Sequence, residues 1–329
     1  MHHSHSSRID RLELEPHCAV SPSLSVVSYS PGSVRDDANV TDLVLAASIY
    51  KNLSAGFSAG GTSGTPGGAC DSGSKGASQT WHLYLIGNLG QTPTTYSRSG
   101  ATVTLNFAGN HGLGVGSTIR VIGIGAGIDG VAAIASVPSS SSLTYVATGS
   151  GTIATTACPA GTTVDGFDVL ASQNYNSPAL PAGWTVKQCL GAPAMTDASG
   201  NLRPVTQLGD EFWYATPALD QTAITIGTSS STLTLGSIPN GVSVVAMLNV
   251  EIDGVSSVYF RNPSDTDLAP SGTAAPLGTV TAPVQSNGFF AQIRVRTNAS
   301  QQIAARSTVS TTPCYIATLG WRDPRRRLF

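Results

Sequence analysis

A chain of 329 residues is long enough for two or three domains with cores of their own, because domains run to about 100–200 residues. Charged residues make up 11% of it, against roughly 25% in an ordinary globular protein. A net charge of −2 offers no global field to attract nucleic acid. Hydrophobic residues at 40% separate it from disordered chains, which are poor in aliphatics and rich in charge.

Thirty-six glycines and nineteen prolines, among abundant Ser, Thr and Ala, predict an all-β protein with many tight turns. The expected architecture is a set of sandwich or jelly-roll-like modules with little helix. No run of about 18 apolar residues is present to span a membrane as a helix. The opening MHHSHSSRIDRLELEP lacks the basic start and apolar stretch of a secretory signal. Five scattered cysteines (Cys18, Cys70, Cys158, Cys189 and Cys314), with no CxxC pair, predict free thiols in a reducing compartment.

Residues 1–22 read as an irregular arm, in which RIDRLELE forms one helical turn or one edge strand. From residue 24 the pattern LSVVSYSPGSVRDD alternates as strands do, breaking at Pro31-Gly32. Residues 41–53 are a further apolar run. Residues 55–76, dominated by Gly, Ser and Thr, read as a long loop. TWHLYLIG at 80–87 alternates Trp81, Leu83 and Leu85 against His82, Tyr84 and Ile86, which predicts a strand buried on both faces. Residues 96–161 carry four short β-type runs, at 101–107, 118–124, 130–137 and 142–148. Their spacing of about 8–12 residues suits a small sandwich or barrel.

FDVLAS then resumes the earlier pattern, so 23–95 and 162–220 read as halves of one β module split by an insertion at 96–161. Residues 221–329 read as a C-terminal β sandwich, with an Asn298-Ala-Ser-Gln301 link that looks like a hairpin turn.

Catalytic signatures weigh little here. Gly125-Ala-Gly-Ile-Asp-Gly130 matches GxGxxG, but a dinucleotide site needs a following helix and an acidic residue about 20 positions on. Val131 onward is β-like, so the motif reads as a turn. Asp71-Ser-Gly73 superficially resembles a protease nucleophile loop, without a histidine in matching context. His2, His3 and His5 form a metal-grip pattern on a tail with nothing around it to enforce geometry. Asp36-Asp37, Asp210-Glu211 and Asp265/Asp267 invite a glycosidase or calcium reading. Sugar hydrolysis needs two carboxylates about 5–10 Å apart across a cleft, whereas strand neighbours point to opposite faces. The expectation is therefore no catalytic residue, no cofactor and no metal site. The one dense basic cluster is Arg322, Arg325, Arg326 and Arg327, which reads as a solvated tail or as a docking peptide toward a neighbouring subunit.

Four blocks resemble a family of tailed-bacteriophage virion proteins, the head-fibre and tail-fibre proteins. Pro31-Gly-Ser-Val-Arg-Asp-Asp-Ala-Asn39, followed by Asp42-Leu-Val-Leu45, is similar to the family's opening G-x-x-R-D-x-x-N…D segment. Asp71-Ser-Gly-Ser74 with Thr80-Trp-His-Leu-Tyr-Leu-Ile-Gly87 resembles its DTG…TWYxVYxIG strand. Pro181-Ala-Gly-Trp184, Gly191, Gly200-Asn201 and Pro204-Val-Thr-Gln207 resemble its LPSGY…SGNxxPFTQ stretch, with Lys187-Gln-Cys189 in place of the usual basic pair. Val295-Arg-Thr-Asn298 and Leu319-Gly-Trp-Arg-Asp323 resemble its closing RTN…GWxD. The extra segment, with Asn110-His-Gly-Leu-Gly-Val-Gly-Ser117 and Ile119-Arg-Val-Ile-Gly123, resembles small β modules of phage fibres.

The resemblance implies a non-enzymatic structural protein of the virion, assembled in the host bacterial cytoplasm as a homotrimer. Its partners would be itself, other head or tail proteins and host surface glycans, with no nucleic acid. Arg8, Arg11, Leu12 and Leu14 become anchoring candidates in the arm, and Tyr96, Tyr145, Tyr175 and Trp184 candidates for stacking on receptor sugars. The alternatives are a capsid decoration protein without receptor role, or a polysaccharide depolymerase.

Overall fold

In a computed structural model, residues 14–15, 25–125, 127–191, 193–253, 256–269, 279–281 and 289–324 are described. Among them every regular element is a β-strand, so the protein is all-β. The chain forms two compact units, one from residues 1–75 and 81–194, the other from 76–80 and 195–328.

The first unit is organised around the strand Thr163–Ser172, of which all but the first residue are buried. Along one edge it pairs antiparallel with Thr80–Gln91, whose alternating Trp81, Leu83, Leu85 and Tyr84, Ile86 are indeed buried on both faces. Val186–Cys189 pairs on the far edge of Thr80–Gln91. The other edge of Thr163–Ser172 changes partner midway. Its first half pairs antiparallel with Thr118–Ile122, ending at Phe167 opposite Thr118. Its last part pairs parallel with Gly67–Cys70, through Ala171 opposite Cys70.

From that split the sheet runs two ways. One arm continues through Gly67–Cys70, Ile49–Gly56 and Val26–Tyr29 to Leu14–Glu15, which is an edge strand, not a helical turn. The other continues through Thr118–Ile122, Gly130–Ser139, Ser142–Val146, Thr102–Phe107, Pro93–Ser99 and Ile153–Ala157.

Three boundaries therefore fall differently from the sequence reading. The strands within 96–161 are hydrogen-bonded into the host sheet, and their Val103, Leu105, Leu143 and Tyr145 share one core with Tyr84, Ile86, Leu170 and Trp184. Residues 195–220 belong to the second unit. The stretch 55–76 is not all loop, because Gly67–Cys70 forms a strand whose first two positions leave no room for a side chain. A Cβ on Gly68 would lie 1.8 Å from Gly56 O.

In the gap where Thr163–Ser172 changes partner, Asp168 meets Lys51 with both side chains fully buried, Nζ 3.0 Å from Oδ1. Lys51 Nζ also donates to Ser58 O at 2.7 Å and Gly60 O at 3.1 Å. Asp168 Oδ2 accepts from Gly60 N at 2.5 Å and Ser117 Oγ at 2.7 Å, and Oδ1 from Val169 N at 2.6 Å. The ammonium also lies over the Phe57 ring, 4.6 Å from its centroid. The pair thus satisfies backbone groups that the interrupted ladder leaves without strand partners.

The second unit has two sheets. Val205–Leu208, Glu211–Ile226, Thr312–Arg322, Val245–Ile252 and Phe289–Arg296 form the larger, in that order. Ser231–Thr234, Gln302–Ser307, Val258–Arg261 and Thr279–Thr281 form the smaller. The link at 298–301 is thus not a hairpin, because the strands it joins lie in different sheets. Asn298 still closes a tight turn, accepting from Gln302 N at 2.9 Å.

Phe212 stacks on Trp321 at 5.1 Å, with Tyr214 edge-on at 5.5 Å. Gly320, at φ 154°, lets the Phe212 backbone approach so closely that a Cβ there would sit 1.9 Å from Phe212 O.

Lys51→Met or Asp168→Asn should each lower the stability of the first unit by roughly 3–5 kcal/mol, since each strands a buried partner. The double variant Lys51→Met/Asp168→Leu should stay destabilised, because Gly60 N, Val169 N, Ser58 O and Gly60 O would lose their partners. Calorimetric or denaturant unfolding checks both. Gly320→Ala should cost about 1–3 kcal/mol through the forced shift of the Phe212 strand, read as a lower unfolding midpoint of the second unit.

Candidate functional site

The side chains singled out by sequence pattern are taken up by the fold. Asp129, in the glycine-rich turn, accepts from Gly123 N at 3.0 Å and Ile124 N at 2.8 Å. Burial works to raise its pKa, but the N–H groups of Gly125, Ile124 and Gly123 together hold the carboxyl below its usual value. The strand Gly130–Ser139 follows, and the amides a phosphate would need are already bound to Asp129.

Ser72 Oγ donates to the neighbouring Asp71 Oδ1 at 3.3 Å, and Asp71 Oδ2 accepts from Ala179 N at 3.0 Å. His111 is buried, with Nδ1 accepting from Leu113 N at 3.1 Å, and burial lowers its pKa. Burial also pushes the Cys70 and Cys314 thiols up to about 12, so neither is a thiolate at neutral pH. Among the described residues no group of three His, Cys, Asp or Glu side chains is disposed to hold a metal ion.

The carboxylate pairs divide in the same way. Asp36 turns inward and accepts from Val40 N and Thr41 N at 2.7 and 2.9 Å, closing the hairpin of Gly32–Arg35 and Asp42–Leu45, while Asp37 pairs with Lys187. Asp210 holds Arg322 Nε at 2.7 Å and Glu211 holds Arg294 at 2.9 Å. Asp265 pairs with Arg296 at 2.7 Å, and Asp267 with Arg261 and Arg306 at 3.3 and 3.1 Å. Cations already neutralise the two groups that suggested calcium.

Two of the four aromatic receptor candidates are core residues. Trp184 packs edge-on to Phe57 at 5.6 Å, and Tyr145 is buried with its hydroxyl donating to Ile128 O at 2.8 Å. Neither offers a ring face to a sugar. Their apolar bodies fill the shared core, a placement that aromatic identity alone does not reveal. Tyr96 and Tyr175 are half-buried, Tyr96 against the same core and Tyr175 edge-on to His82 at 5.1 Å. Arg322 is engaged within its own chain by Asp210 and is not a free docking group. Arg8, Arg11, Leu12, Arg325, Arg326 and Arg327 lie outside the described residues, as do His2, His3 and His5. Leu14 pairs through its backbone with Tyr29.

What the sequence did not single out is an outward face on the larger sheet of the second unit. Cross-strand pairing aligns Leu219, Ala317, Asn249 and Gln292 in one row. A second row aligns Tyr315, Glu251 and Phe290. Together they line a shallow concavity of about 370 Å³. Leu219 is 66% exposed and Phe290 70%, so two large apolar side chains stand in water on one face. The signal was present in the alternation of FFAQIRVR, whose Ile293 and Val295 point inward and thereby turn Phe290 outward.

Asp220 is a carboxylate whose pKa the fold raises. Burial raises its pKa from 3.8, against hydrogen bonds from Thr318 Oγ1 and Ser237 N that favour the charge. Its native form holds the proton more tightly than the unfolded chain does. Its contribution to stability is therefore present at low pH and lost as pH rises through the folded pKa. Asp220→Asn should gain in melting temperature relative to the parent as pH rises from below 3.8. A difference that stays constant with pH would refute the assignment.

No family model matches this chain, and no curated protein matches it. Among solved structures the chain is similar to phage phi92 endosialidase, at 11% sequence identity and a TM-score of 0.22. The alignment takes in 91% of this chain and 66% of that one, so the chain spans less than two thirds of its length. A superposition that loose carries no argument about fold or chemistry.

Proposed function

We propose that this chain is a non-enzymatic structural component of a bacteriophage virion, a trimeric fibre or spike. In this reading residues 1–22 anchor it to the particle and the β units face the host surface. The observation that carries the reading is the outward face of the larger sheet in the second unit. Leu219 and Phe290 stand exposed there beside Tyr315 and Ala317, on a chain with few charges to repel a copy of itself. Contiguous exposed apolar surface is where soluble proteins meet partners.

The blocks that resemble phage fibre proteins support the same reading, since their residues build turns and packing. Arg35 and Asp42 bridge at 2.8 Å beside the turn that Asp36 closes. Asp197 accepts from Ser199 N and Asn201 N around Gly200. Trp321 stacks in the core beside Arg322 and its partner Asp210. Side chains held in this way offer an assembly a rigid surface and leave little chemistry free.

Sedimentation equilibrium of the purified chain should give three times the single-chain mass, and Leu219→Lys/Phe290→Glu should shift it toward the monomer while keeping the β-sheet circular dichroism. A parent that stays monomeric at tens of micromolar, or new reducing ends released from host capsule, would overturn the reading.

A further inference from the structure

We propose that Lys51 and Asp168 condense spontaneously within the folded first unit, forming an intramolecular amide that covalently ties the strand Ile49–Gly56 to the strand Thr163–Ser172.

The geometry is that of a reaction held at its start. Nucleophile and electrophile are fully buried, with Nζ 3.0 Å from Oδ1, so their encounter is unimolecular and no bulk water competes. The other carboxylate oxygen, Oδ2, receives Gly60 N–H at 2.5 Å and the Ser117 hydroxyl at 2.7 Å. These are two preorganised donors on the atom that gains negative charge when the carboxyl carbon becomes tetrahedral. Val169 N–H, 2.6 Å from Oδ1, lies on the oxygen that must depart. Burial also lowers the pKa of Lys51, against the pull of Asp168, which brings the uncharged nucleophilic amine within reach.

The step balances without any co-reactant. The ammonium passes one proton to Oδ1. The Nζ lone pair then attacks Cγ, forming the C–N bond while the carbonyl electron pair moves to Oδ2, between Gly60 N and Ser117 Oγ. A second proton passes from Nζ to Oδ1, and the Cγ–Oδ1 bond breaks with its electrons leaving on water. The pair returns from Oδ2 to restore the carbonyl. An ammonium and a carboxylate have become an amide and one water, with no change of oxidation state. The remaining N–H can keep the bond to Ser58 O, which Nζ already makes at 2.7 Å.

The amide carbonyl would keep Gly60 N and Ser117 Oγ, and its N–H would keep Ser58 O, while Val169 N and Gly60 O would give up their present bonds.

Intact-mass spectrometry of the full-length chain, folded, incubated and then denatured, tests this directly. The parent should be lighter than its sequence by one water molecule, and a proteolytic digest should hold a branched peptide joining Lys51 to Asp168. Lys51→Arg and Asp168→Ala should each run at full sequence mass. Ser117→Ala should form the branched peptide about 10²-fold more slowly, as expected for loss of one oxyanion donor. A parent at full mass after prolonged incubation would overturn the proposal. So would a water loss that persists in Lys51→Arg, which would mark cyclisation at an Asp-Gly step such as Asp165-Gly166.

Discussion

The ion pair of Lys51 and Asp168 sits where the central strand of the first unit changes neighbours and backbone pairing along that edge is interrupted. Thr163–Ser172 exchanges one neighbour, Thr118–Ile122, for another, Gly67–Cys70, and between Phe167 and Ala171 that edge has no strand beside it. The segments that would otherwise leave polar atoms stranded there are 57–61 and 114–117, which cross at near-contact. Gly61 N donates to Val115 O at 2.8 Å, and a Cβ on Gly60 would lie 2.2 Å from that same oxygen. A buried ion pair is usually poor value for stability, because desolvation offsets the attraction. Here both charges also complete hydrogen bonds for backbone groups of the loop 57–61, and Asp168 adds the Ser117 hydroxyl from the segment 114–117. Both arms of the sheet take their direction from that junction.

The second unit solves its closure with packing and a glycine. Phe212, Tyr214 and Trp321 form an aromatic stack, and Gly320 lets two strands approach within it. Asp210 ties this together by accepting from Arg322 through its carboxylate and from Asp323 N through its carbonyl. Along the other margin, Arg261, Arg296 and Arg306 neutralise Asp265 and Asp267. Many charges of this charge-poor chain are thus matched at turns and strand ends, and in the concavity around Leu219 and Phe290 the charged side chain is Glu251.

The strand pattern was legible in the sequence because period-two alternation and turn residues are local. The runs read at 101–107, 118–124, 130–137 and 142–148 became Thr102–Phe107, Thr118–Ile122, Gly130–Ser139 and Ser142–Val146. Partner choice was not legible, since it depends on contacts between distant strands. The insertion shares its neighbour's core, and the strands on either side of Asn298 part into separate sheets for that reason. Tyr145 and Trp184 were misplaced on the same ground, because an aromatic ring carries no local mark of whether it will face water or a core. The Lys51–Asp168 pair is separated by most of the unit, and neither residue stands in a motif.

The strand Phe289–Arg296 ends the larger sheet, and an edge strand is a template on which another chain can extend the ladder. On its outward face Phe290 and Gln292 give way to Arg294 and Arg296, both exposed and both already matched by carboxylates of their own chain. An incoming strand would meet guanidinium groups at one end and a phenyl ring at the other. That polarity imposes a direction: an added strand gains apolar contact at the Phe290 end and meets a polar, ion-paired surface near Arg296. An edge graded in this way disfavours indiscriminate lateral pairing, because only one direction of approach matches it.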